Sequence, residues 1–328
     1  MPTRAEEVYK KVTRRKKLLA LASWSLVAPL FLLDVMVGPS SLGLPSGELG
    51  RVVLWSIRLP VALAALLGGA SLALAGSLIQ TILDNPLASP YTLGISAGAA
   101  FGAALAYVFG VSLLGSYSVV TNAFAFAILT SVIVFALSKA KGMSAESLVL
   151  AGIAINYLFH SLLAFSEFVA SEEALQAVVF WTFGSLYKAT WGKLTVLASA
   201  LVPSFFVALA LSWRLSALKA GEEVARGAGV DVGKLRALSF VLASLLTATV
   251  VCYFGIIAFV GLVAPHLARM IVGEDQRFSL VASAAAGSAL LLAADVASKT
   301  VVWGAIVPIG IVTSFVGVPF FLFLMLRR

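Results

Sequence analysis

Apolar runs of about 20 residues, broken by short polar or glycine- and proline-rich interruptions, dominate the chain from Leu18 to its end. A hydrocarbon layer ~30 Å thick is crossed by ~20 helical residues at ~1.5 Å each. A helix also satisfies its own backbone hydrogen bonds, as a segment in lipid must. The pattern therefore predicts about ten membrane helices, near 18–37, 57–80, 91–111, 118–138, 145–168, 191–213, 236–257, 260–272, 278–300 and 306–326. The eighth is too short to cross alone and is expected to be tilted, broken or buried among the others. The ~10-residue alternation of membrane barrel strands is missing. The fold class is thus an all-α polytopic membrane protein.

Charge sharpens this. Of 328 residues, 12% are charged and 61% are hydrophobic, against roughly 25% charged in a soluble domain. Placing the N-terminus in the cytoplasm puts 18 of the 23 Lys and Arg on the inner side, as the positive-inside rule requires. Both termini are then cytoplasmic, and the net charge of +8 belongs to inner loops rather than to a nucleic-acid surface. Residues 1–17, with the run KKVTRRKK, form a cytoplasmic tail. Residues 18–328 form one membrane domain of a multi-pass cell-membrane protein. The first apolar run is long for a signal peptide and is followed by no small-residue cleavage site, so it is expected to be a retained span. A single cysteine, Cys252, excludes an intrachain disulfide.

Two helices carry small residues at every fourth position: Ala65, Gly69, Ala73 and Ser77, then Gly94, Gly98, Gly102 and Ala106. That step keeps them on one face, where helix backbones can approach closely.

One stretch breaks the pattern. LKAGEEVARGAGVDVGKLR, residues 218–236, reads as soluble. It is not a phosphate-binding loop: only three residues separate Gly229 from Gly233, and Lys234 is followed by Leu235. It reads as a short helix. Gly221 stands at its N-cap, Glu222 and Glu223 at its positive end, Gly229 just past its C-terminus, and Asp231 caps the next helix. So short a helix needs a surface to pack on.

Several motifs in order give the chain a resemblance. They are RLPVALAALLGGASLALAGSLIQTILDNPLASPYTLGISAGA (58–99), GEEVARGAGV (221–230), GLVAPHLARMIVGEDQR (261–277), AADVASK (293–299) and VPIGIVTSFVGVPFFLFLM (307–325). In these the chain resembles the permease subunits of type II ABC importers for iron chelates, haem and cobalamin, through nearly its whole length. The resemblance implies a ten-helix, non-enzymatic permease that pairs with a second copy of itself. It also implies two cytoplasmic ATPase subunits, which carry the ATP and Mg, and an external solute-binding protein; this chain would bind no cofactor. The loop at about 214–236 would hold the coupling helix, with Glu222, Glu223, Ala225, Arg226 and Gly229 at or beside the ATPase contact. Arg58 and Lys299, at outer helix ends, would meet acidic residues of the binding protein. The family often has RLPR; here Val61 replaces the second basic residue, and Arg51 is a candidate substitute. Gln80, Asn85, Pro86, Gly94, Gly98, Pro265, His266, Asp295, Pro308, Gly310, Gly317 and Pro319 belong to the family motifs and are expected to be structural.

The residues themselves add detail. Asn85 can close a turn in DNPLASP (84–90), where Pro86 and Pro90 oppose continuous helix. Asp295 lies four residues before Lys299, which suits a local ion pair; a proton relay is the alternative. His160 reads as a packing residue, with haem ligation as the alternative. Residues 166–193 predict a short amphipathic outer helix. The expected cargo is a ferric siderophore or haem, with cobalamin and molybdate or tungstate open. An ion-coupled secondary transporter is the rival function; it would want midplane charges and an inverted repeat, and neither is clear.

Overall fold

The computed structural model describes residues 4–39, 42–113, 115, 118–302 and 304–326. They form helices α1 (Arg4–Ala22), α2 (Val27–Met36), α3 (Gly47–Val53), α4 (Leu59–Ile82), α5 (Ile95–Phe109), α6 (Ser118–Ala140), α7 (Ala145–Phe168), α8 (Glu172–Thr182), α9 (Trp191–Ala210), α10 (Ser212–Lys219), α11 (Glu222–Gly227), α12 (Val232–Phe254), α13 (Val260–Val272), α14 (Gln276–Thr300) and α15 (Ile309–Leu326). Among the described residues the one departure from helix and loop is an isolated bridge between Val37 and Leu42. Seven helical segments are long and apolar enough to cross a membrane, and α5, α13 and residues 309–323 of α15 are shorter apolar helices. The chain is a multi-pass membrane protein.

The breaks have local causes. Pro29 removes a backbone donor at the start of α2, and the hydroxyls of Ser23 and Ser25 bond back to the carbonyls of Ala20 and Ala22, both at 2.6 Å. A 3-10 turn over Ser23–Ser25 results. The boundary expected between residues 17 and 18 falls inside α1, so the basic run is helical and continuous with the first span. Ahead of α4, Pro60 cannot donate to the carbonyl four residues back, and Leu54–Arg58 widen into a π turn. α3, this turn and α4 make one apolar helix over Gly47–Ile82.

Helix α4 is the centre, packed on α12, α13 and α14. The small-residue face works as expected. Gly69 of α4 lies against the Gly287 carbonyl of α14, and Gly76 against the Gly261 carbonyl of α13; a methyl group at any of these crossings would meet backbone. On α5, Gly98 faces Thr130 and Gly102 the Asn122 carbonyl, both on α6, and Gly94, at φ +81°, abuts Asn156 of α7. Outward faces stay apolar, with Val132, Leu150, Tyr157 and Phe206 all exposed, as lipid or a partner chain requires. Arg58 and Ile82 mark opposite ends of α4, and they divide the polar groups into two sets.

Candidate functional site

At the Ile82 end, α11 projects between α10 and α12. Its caps form as the sequence predicts. Gly221 precedes it at φ +131°, and Gly229 follows at φ +80°. The Gly229 N–H donates to the Arg226 carbonyl (2.9 Å) and the Val230 N–H to the Ala225 carbonyl (3.0 Å). Ala225 and Val230 are both buried behind this C-terminal lock. Asp231 then accepts from the Lys234 N–H at 3.0 Å and starts α12.

The helix thus has two faces. Glu223, Val224 and Arg226 are exposed, as is Gly229, while Ala225 is fully buried. Ala225, expected at or beside the contact, faces the chain's own core, and Val224, 56% exposed, is the apolar residue turned outward. Glu222 is the hinge of the arrangement. Arg226 reaches its Oε1 at 2.7 Å and Arg236 its Oε2 at 2.6 Å. Hydrogen bonds from Arg236, then Arg226, hold the Glu222 carboxyl below the ordinary carboxylate range.

Arg236, which sequence reasoning treated only as the start of a span, is the anchor. Its side chain is buried and donates to the carbonyls of Ile82 (3.2 Å) and Met143 (3.4 Å) as well as to Glu222. One guanidinium therefore ties α11 to the ends of α4 and of the α6–α7 turn. Lys219 adds a second tie, 2.7 Å from Asp84. In the DNPLASP turn the Asn85 side chain accepts from the Leu87 N–H at 2.9 Å, and Pro86 lies within the turn. Gln80 donates to the Leu262 carbonyl (3.2 Å) and accepts from Arg269 (2.6 Å), joining α4 to α13.

At the Arg58 end the polar groups are sealed in. Lys299 Nζ lies 2.6 Å from Asp34 Oδ1 and 2.6 Å from Asp295 Oδ2, with all three side chains at most 2% exposed. The ion pair expected between Asp295 and Lys299 is present. Asp34 is its unforeseen third member, although a lone acid in an apolar span is a signal in itself. Arg58 donates to the carbonyls of Val35 (3.1 Å), Met36 (3.0 Å) and Gly43 (2.7 Å), fastening the end of α2. Both cations were expected at the surface, facing a binding protein. Both are instead buried, at 7% for Arg58 and 1% for Lys299. Carboxylates and carbonyls already surround them, and a buried charge is tolerable only when so compensated. Arg51, on α3, is the exposed cation at this end.

The remaining motif residues shape packing. Pro265 is buried within α13, and His266 stands edge-on to Phe320 with ring centroids 6.4 Å apart. Pro308 opens α15, and the Gly310 N–H donates to the Phe183 carbonyl at 3.0 Å. Gly317 gives room to the Phe259 ring. Gly310 and Pro319 border an apolar cleft of about 530 Å³, with Phe183, Ile256, Ser314 and Phe315. His160 is exposed on α7 rather than packed inside the chain, and Asn156 is half-buried beside Gly94. Among the described residues no group of three His, Cys, Asp or Glu could hold a metal ion. The expected outer helix is α8, capped by Ser171.

Comparison with known proteins agrees with this architecture. The hemin transport permease of Yersinia pestis is 38% identical over 83% of this chain and 83% of its own length. A cobalamin import permease of Halobacterium salinarum is 35% identical over 88% of this chain and 77% of its own. A solved structure described as an inward-facing metal-chelate type ABC transporter superposes with a TM-score of 0.86 at 33% identity, covering 94% of this chain and 99% of that one. Residues 19–327 match the model of one family. The helix order, the two ends of α4 and these matches converge: the chain belongs to the FecCD transport family.

Proposed function

We propose that this chain is the permease subunit of an ATP-driven importer, carrying a metal chelate into the cytoplasm through the space between two copies of itself. The single observation that carries the reading is α11: a six-residue polar helix, locked at both ends and bonded through Glu222 to Arg236, that turns Glu223, Val224 and Arg226 outward. A helix that short has no stability of its own; its rigidity comes from Arg236, and its exposed face is free for a separate ATPase. ATP hydrolysis belongs to that subunit. In this reading the seven long segments and three shorter helices are ten crossings, so α11 and both termini share one side, and the excess of Lys and Arg on that side favours the cytoplasm.

The relatives are named for hemin, cobalamin, molybdate and ferric citrate. Hemin, cobalamin and ferric citrate are metal chelates, and molybdate is a small metal oxyanion. The cleft beside Phe315, which is 77% exposed, together with the exposed face of α7 that bears Tyr157 and His160, is this chain's share of the passage. Haem or a ferric siderophore is the favoured cargo. A solute-binding protein meets the other end, where Arg51 offers the first cation.

Reversing both charges on the exposed face, Glu223→Arg with Arg226→Glu, tests the reading. The variant should insert and fold normally, since Arg236 still anchors α11 through Glu222 when the Arg226 bond is lost, yet lose co-purification with its ATPase and most of its transport. Normal transport by this variant would overturn the assignment.

A further inference from the structure

The basic run at the start of the chain is used by nothing described so far, and the structure gives it a definite shape. Residues 10–17 lie on α1, and at 3.6 residues per turn Lys10, Lys11, Arg14, Arg15 and Lys17 fall within an arc of about 160°. All five are exposed, and none is in an ion pair among the described residues. Lys16 points the other way and is half-buried, with its Nζ against Gly273 in the loop between α13 and α14. Below it Leu19 and Ala20 pack on Ala268, Val272, Phe278 and Ala282. The helix is therefore fixed against α13 and α14, and the direction of the five exposed cations is set by that packing.

What lies next to the arc decides its partner. Leu18, Leu21 and Leu26, one to three turns further on, are each more than half exposed. They continue the arc into the apolar surface of the first span, so the cations stand at the level of lipid phosphates. α11, the proposed ATPase contact, packs on α10 and α12, whereas α1 packs on α13 and α14. We infer that the Lys10–Lys17 face of α1 is a binding surface for the headgroups of anionic phospholipids. It rests on reading residues 10–17 of α1 as lying just outside the bilayer. A cluster of this size attracts anionic lipid with a gain of about fivefold per cation near the surface, and salt weakens it.

The test uses the full permease in nanodiscs of phosphatidylcholine alone and of an equal mixture with phosphatidylglycerol. Lipid retained on the extracted protein is read by native mass spectrometry. Wild type should retain phosphatidylglycerol over phosphatidylcholine by at least about tenfold. A variant with Lys10→Gln, Lys11→Gln, Arg14→Gln and Arg15→Gln should lose most of that preference. A variant that keeps the charge, Lys10→Arg, Lys11→Arg, Arg14→Lys and Arg15→Lys, should keep the preference, which separates charge from folding. So should Lys139→Gln with Lys141→Gln, which removes two cations elsewhere. An unchanged preference in the four-glutamine variant overturns the inference. So does the same variant losing ATPase binding in phosphatidylcholine while its lipid preference stays intact, because the arc would then be a protein interface. Both faces of a nanodisc are equivalent, so the lipid result stands or falls separately from the assignment of α11.

Discussion

Each end of α4 holds a cation bridging acidic or carbonyl groups from distant parts of the chain, but the two ends are built differently. At Lys299 the cluster is closed: two carboxylates and one ammonium are out of reach of solvent. At Arg236 it is half open: the guanidinium is buried, while Glu222 is 37% and Arg226 68% exposed by side chain. The closed cluster can only hold helices α2 and α14 together. The open one holds α11 in place and still presents charge to a partner. Burial, not residue type, separates a structural ion pair from a surface for recognition.

The largest expected effect comes from opening the closed end. Lys299→Met leaves Asp34 and Asp295 facing each other without a counter-ion, and breaking a buried pair costs about 3–5 kcal/mol. Unfolding in detergent should show a loss of that order, and adding Asp34→Asn should restore part of it. A wild-type unfolding midpoint in the single variant would mean that the cluster is hydrated.

The open end should respond to acid instead. The folded Glu222 carboxyl titrates below its unfolded value of about 4.3. Its contribution is therefore complete above that value and is lost as pH falls through the lowered folded one. The protection of residues 221–230 against hydrogen exchange, relative to the intrinsic rate at each pH, should fall in that acidic window, and Glu222→Gln should lower it already at neutral pH. Protection independent of pH in the wild type would remove Glu222 as the hinge.

The smallest effect belongs to Arg51. An exposed ion pair is worth ~0.2–1 kcal/mol, so Arg51→Glu should weaken binding-protein affinity by a few fold at low salt and hardly at all at high salt, with unfolding unchanged. If Lys299→Met, restored to stability by Asp34→Asn, weakens binding more than Arg51→Glu, the closed cluster takes part in docking after all.

The sequence announced some of this plainly and other parts not at all. Helix limits were legible because apolar length is counted along the chain: α7 and α13 begin and end where the pattern says. The caps of α11 and the start of α12 were legible because Gly221, Gly229 and Asp231 each do local work. Arg58 and Lys299 were placed at the correct helix ends but on the wrong side of the surface. The reason is that Asp34 lies 265 residues from Lys299, and no local rule brings them together. Arg236 was missed for the same reason, since its partners Ile82 and Met143 come from α4 and the α6–α7 turn. Which face of α11 turns inward was not legible, because six residues are too few for periodicity to decide it.

The helix from Gly47 to Ile82 has a mechanical consequence. Its 36 residues make a strut ~54 Å long at 1.5 Å per residue. At Gly69 and Gly76 it is clamped by backbone contacts with no slack for even a methyl group, so it cannot bow there under load. Arg236 grips one extremity at Ile82, and the π turn at Leu54–Arg58 is the only irregular turn along its length. A displacement of α11 would reach this strut at Ile82 through Arg236, and its loosest winding lies at the far extremity, beside the corner where Arg58 fastens α2.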